Sequence, residues 1–131
     1  MRFMTLYKPG REDDGPPTEK EMAAVGQLIV EMAKDGTLIA TDGLQPSKHG
    51  ARVRITADGK TVVTDGPFTE TKELVGGYAI INVKSRKEAI ELTERFLRAM
   101  GHGESEIRLM QDTPGFDRNS PAEFSGAAVR E

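Results

Sequence analysis

Asp65-Gly66-Pro67-Phe68-Thr69-Glu70-Thr71-Lys72-Glu73-Leu74-Val75-Gly76-Gly77 decides how this chain folds, because it sets turn formers and ionisable side chains between two apolar runs. Gly66 permits a positive φ and Pro67 fixes the next turn residue, so Asp65 is expected at a strand end on a stiff corner. Upstream, Ala51-Arg52-Val53-Arg54-Ile55-Thr56 alternates, Asp58-Gly59 signals a two-residue turn and Thr61-Val62-Val63-Thr64 returns, which reads as a β-hairpin. With a two-residue loop, Ile55 faces Val62, Arg54 faces Val63 and Arg52 faces Asp65. Such a guanidinium beside Asp65 would favour its ionised form. Downstream, Gly76-Gly77-Tyr78-Ala79-Ile80-Ile81-Asn82-Val83 is an apolar strand, and Ser85 with Glu88 is a capping box that opens a helix ending at Met100-Gly101.

The outer segments repeat this plan. Arg2 to Tyr7 alternates as a strand, and a polar loop leads to Thr18 and Glu21, a second capping box. Met22, Val25, Ile29 and Met32 keep helical spacing, and Gly36 stops the helix. Leu38-Ile39-Ala40 is a short strand. Asp42 to Gly50 is too rich in breakers to be regular and reads as a functional or dimer-contact loop. Ala89, Leu92, Phe96 and Met100 form the inward stripe of the second helix, and Glu106 to Met110 is a last strand. Residues 1–112 therefore make one domain. Residues 113–131 have no clear period and read as a C-terminal arm or flexible tail, with Phe116 and Phe124 as anchors.

Strand, helix, strand, hairpin, strand, helix, strand predicts an α+β fold: a ferredoxin-like split βαβ arrangement with an added hairpin and an antiparallel sheet. Two helices cover one sheet face. The economical cover for the other is a second subunit's sheet, so a homodimer is expected.

The composition narrows function mainly by exclusion. At 131 residues one domain should bury roughly two thirds of its unfolded surface. With no cysteine, neither a disulfide framework nor a thiolate zinc site is available. Lys and Arg total 18 against 21 Asp and Glu, net −3, and the lysines are spread, which disfavours nucleic acid as a ligand. The start reaches Lys8 before any signal-peptide core, and no run is long enough to span a membrane, so a soluble cytoplasmic protein is expected.

Asp65 is the leading general base or ligand-orienting carboxylate; equally it can accept N–H bonds within its turn or pair with Arg52. Tyr78 either donates its hydroxyl to a substrate oxygen in the cleft or packs within the strand. Glu70, Lys72 and Glu73 can contact a polar ligand, or form a solvated or intersubunit ion pair. Arg52 and Arg54 can hold a substrate carboxylate. His49 has a near-neutral pKa suited to acid/base work but sits on a polar loop, and His102 suits the negative end of the second helix. Two histidines without i, i+4 spacing give no metal site. Neither an activated nucleophile nor a phosphate loop is present, no cofactor is required, and Gly76-Gly77 reads as a bulge or close backbone approach at the dimer seam.

Asp65-Gly66-Pro67-Phe68 through Glu73, followed by Gly76-Gly77-Tyr78, resembles the signature of DGPF-domain proteins in the YCII-related family. Similarity continues through Gly43-Leu44-Gln45-Pro46, Ala51 to Arg54 and the helix after Ser85, covering roughly residues 1 to 112. The resemblance implies a dimeric α/β barrel in which two ferredoxin-like sheets pack face to face around a cleft. Most members have no assigned reaction, and some sit beside extracytoplasmic sigma factors, which implies regulation as an alternative to small-molecule catalysis. Smaller relatives carry a His and Asp pair on and after the first helix. Here that helix, Thr18 to Asp35, contains no His, so the pair is not carried over.

Overall fold

The computed structural model describes residues 1–10, 15, 17–70 and 74–112. Six strands and two helices follow the expected order: β1 (Arg2–Lys8), α1 (Glu19–Lys34), β2 (Leu38–Gly43), β3 (Ala51–Ile55), β4 (Thr61–Asp65), β5 (Gly77–Asn82), α2 (Arg86–Met100) and β6 (Glu104–Leu109). Four strands make an antiparallel sheet in the order β2-β5-β1-β6, while β3 and β4 pair only with each other. Each helix starts and stops where the residues dictate. Thr18 accepts from the Glu21 amide, Ser85 from the Glu88 amide, and Gly36 and Gly101 take φ of 80° and 87° after the last turns.

Alternation puts Phe3, Ile81 and Ile107 on the sheet face beneath the helices, where Leu28, Met32 and Ala89 meet them. Ile81 is 2 % exposed and Ala89 fully buried, which marks the centre of the core. Met22 is not part of it. It is 61 % exposed, because it precedes Leu28 by six residues and so sits about 120° round the helix from the buried line.

β2 runs on to Gly43, beyond its apolar start, because Thr41, Asp42 and Gly43 pair with Ala79, Tyr78 and Gly77. Part of the stretch expected to be irregular is thus an edge strand. A bulge between Leu38 and Ala40 turns Ile39 outward. Gly77 fits here for want of a side chain: a Cβ would come within 2.9 Å of the Asp42 carbonyl oxygen. The close approach expected of Gly76-Gly77 therefore occurs between strands of one chain.

The hairpin forms as expected, but its register is one residue different. Thr56 and Lys60 close a three-residue loop, the Gly59 amide donates to the Thr56 carbonyl at 2.9 Å, and Gly59 takes φ of 86°. This is a type I turn with a left-handed glycine, and it has one residue more than a two-residue turn. Val53 therefore faces Val63, Arg54 faces Val62, Arg52 faces Thr64, and Asp65 faces Ala51 instead of Arg52.

Candidate functional site

The face of the sheet turned away from the helices carries Arg2, Met4, Leu6 and Lys8 from β1, Tyr78, Ile80 and Asn82 from β5, Ala40 and Asp42 from β2, and Glu106 and Arg108 from β6. Met4, Leu6 and Ile80 form its half-buried apolar centre. Polar pairs stand on either side. At one edge Glu106 accepts from Lys8 at 3.0 Å and from Arg108 at 3.1 Å, and these bonds hold its carboxyl below the usual range. At the other, the Tyr78 hydroxyl donates to Asp42 Oδ2 at 3.0 Å across the β2–β5 pair. That bond, and then the Asp42 charge, raise the Tyr78 pKa, so the phenol is kept protonated as a donor. A carboxylate can accept a proton and a phenol can donate a hydrogen bond, so the pair holds an acceptor and a donor side by side.

Beneath the same sheet lies a cavity of about 450 Å³. Val25, Leu28, Ile29 and Met32 of α1 and Leu92, Phe96 and Met100 of α2 wall it, and Thr5, Thr41, Gly77 and Ala79 are its floor. The space opens where four helix-facing residues in a row of neighbours, Thr5, Thr41, Gly77 and Ala79, are small, with Tyr7 and Ile81 at its borders. Asp42 and Tyr78 border the cavity by strand position, while alternation carries their side chains to the opposite face.

The residues singled out around Asp65 gather elsewhere, at the hairpin root. A 3-10 turn, Ser47–His49, packs against the corner after β4: the Gly66 amide donates to the Gly50 carbonyl at 3.0 Å and the Phe68 amide to Ser47 Oγ at 2.9 Å. Gly66 does not take the positive φ expected of it. Its role is contact, since a Cβ would lie 1.7 Å from the Ser47 carbonyl oxygen, a distance no atom pair tolerates. The Arg52 guanidinium lies over the Phe68 ring, 3.9 Å from its centroid. Asp65, Arg54, His49 and Glu70 are exposed, and neither they nor Arg52 line the cavity; Lys72 and Glu73 lie outside the described residues. Tyr78 is thus separated from the hairpin group, and its companion is Asp42. Sequence reading missed Asp42 because it stands among Gly43, Pro46 and Gly50 in a stretch that reads as loop; only strand pairing brings it to Tyr78. Among the described residues, no three His, Asp or Glu side chains are placed to share a metal ion, and no helix is long and apolar enough to cross a membrane.

Split βαβ connectivity, an antiparallel four-stranded sheet and two helices on one face define a ferredoxin-like α+β protein. The chain belongs to the YCII-related family, whose domain matches residues 1–109. It is similar to an uncharacterised protein of Rhizobium meliloti (strain 1021), 38% identical over 72 residues. The match takes in 55% of each, so the chain spans about half the length of that relative. Among solved structures, 5-chloro-2-hydroxyhydroquinone dehydrochlorinase from Burkholderia phenoliruptrix AC1100, in complex with 2,5-dihydroxybenzoquinone, is similar over 85% of this chain and 94% of that one. Sequence identity is 14% and the TM-score 0.42, a likeness from which no chemistry passes to this chain.

Proposed function

We propose that two copies pair through the outer faces of their sheets as a dimeric α/β barrel, and that the protein transfers a proton on a small molecule in the cleft between them. The observation that carries this reading is the Asp42–Tyr78 pair, 3.0 Å apart on that face. On ligand binding the Tyr78 O–H turns from Asp42 to the oxygen on which charge develops, and the carboxylate so released takes the proton. The apolar centre of Met4, Leu6 and Ile80 supplies surface for the two sheets to bury. Asp65, the base expected from sequence, stands on an exposed hairpin free to cross to the second copy. In this reading Asp65, Arg52, Arg54, His49 and Glu70 close the cleft from that side and bind the ligand's polar groups. No cofactor takes part.

The test is solvent deuterium exchange, followed by proton NMR, on a panel of small ketones, keto acids and phenols. Exchange catalysed by the wild type should fall by about a hundredfold or more in Asp42→Asn. Tyr78→Phe should retain part of it, and Asp65→Asn measures the share of the hairpin. Absence of catalysed exchange across the panel, or full activity in Asp42→Asn, overturns the reading.

The exposed apolar hairpin favours a second reading, a non-catalytic ligand-binding or regulatory protein. Val53, Ile55 and Val63 lie on one face and are 69%, 64% and 58% exposed. A link to sigma-factor-dependent transcription rests on family resemblance alone. Under this reading Val63→Lys abolishes partner binding while no turnover is found.

A further inference from the structure

The cavity beneath the sheet is separated from the Asp42–Tyr78 side chains by the sheet itself, and its chemistry differs from theirs. We propose that it is a second binding site, for a neutral, mainly hydrocarbon molecule of one or two rings bearing a single hydroxyl or carbonyl group. Size supports this class. An engineered apolar cavity of about 150 Å³ accepts benzene, and this one, about 450 Å³, is some three times larger.

Charge excludes the alternatives. No Lys, Arg or His is among the described lining residues, whereas Glu21 lies close enough to Tyr7 for its charge to add to burial in raising the Tyr7 pKa. An anion would meet repulsion without a counterion. A cation would leave water for walls of Val25, Ile29, Leu92 and Phe96.

Two hydroxyls orient the one polar group. Tyr7 is fixed by its edge-to-face contact with Phe96, ring centroids 5.4 Å apart, yet among the described residues its hydroxyl reaches only the His102 carbonyl, at 3.5 Å. A bond that long is readily exchanged for a better one. The neighbouring floor hydroxyl, Thr5, makes no hydrogen bond among the described residues. By contrast Thr41 and Thr93 are committed, donating to the carbonyls of Tyr78 at 2.9 Å and Ala89 at 2.8 Å. Polar recognition is thus confined to the Thr5 and Tyr7 end of an otherwise apolar space.

The experiment is a titration of the full chain with 1-naphthol and with naphthalene, followed by NMR. Wild type should bind both saturably. Ala79→Leu, which fills the floor, should weaken both by about tenfold or more. Thr5→Val should weaken 1-naphthol about threefold to tenfold while leaving naphthalene unchanged. If Ala79→Leu does not fold, Val25→Trp fills the space from the helix side and is held to the same expectation. The proposal is overturned if wild type binds neither probe saturably, or if a folded filled variant binds as wild type does. Neither result bears on proton transfer at Asp42.

Discussion

The four-stranded sheet and the hairpin are written in the same alternating pattern, yet among the described residues only the sheet buries its apolar side chains. Ile81 of β5 is 2 % exposed, packed under both helices, whereas Val53 of β3 is 69 % exposed and its hairpin pairs with no other strand. An alternating pattern therefore records that a face is to be covered, and leaves open by what. For the sheet the answer lies in α1 and α2. For the apolar face of the hairpin no described residue of this chain supplies it, although a lone two-stranded hairpin is marginal in water.

The largest effect that separates the two regions is truncation. Ile81→Ala should cost about 2 to 5 kcal/mol in urea unfolding, by transfer loss and cavity formation. Val53→Ala should stay within about 0.5 kcal/mol when the hairpin is exposed in solution. A larger cost at Val53 that grows with protein concentration would sharpen the contrast, placing the hairpin against the second copy of the proposed dimer.

Next in size is Gly66→Ala. The new Cβ forces Ser47 away and should cost about 1 to 3 kcal/mol. Hydrogen exchange should rise in residues 47–68 while β1 and β5 stay protected. Loss of protection in β5 as well would mean that the two regions fold as one unit.

The smallest effect is a pH dependence on the sheet. Glu106 is held below its ordinary value of 4.5 by Lys8 and Arg108, so its contribution is present above that value and is lost as pH falls through the lowered one. Lys8→Met should flatten the acid limb of the stability profile. The hairpin's counterpart is Asp58 at its tip, whose carboxyl is lowered by the Thr56 hydroxyl and not by an arginine, so Arg54→Met should leave that limb unchanged.

Much of the sheet and both helices were legible because caps, stops and periodicity agreed: Thr18, Ser85, Gly36 and Gly101 act as read. The hairpin was legible as an element, but its register turned on whether Asp58-Gly59 closes two residues or three, which dipeptide identity does not determine. The site was less legible. Tyr78 was marked by its own chemistry, whereas Asp42 acquires its role from a partner strand 36 positions away. The cavity is written in residues that are unremarkable singly. Thr5, Thr41 and Ala79 become a floor only when three strands set them side by side.

The third residue in the loop before Lys60 reaches well beyond the tip. It places Asp65 on the face shared with Val53, Ile55 and Val63, while Arg52 and Arg54 occupy the other face with Val62 and Thr64. Deleting Ala57 would turn β4 over relative to β3 and bring that carboxylate across from Arg52. A length change at an exposed tip would then act as a charge substitution eight residues away, so insertions and deletions there are a route by which relatives could retune the hairpin's electrostatics while leaving every charged side chain in place.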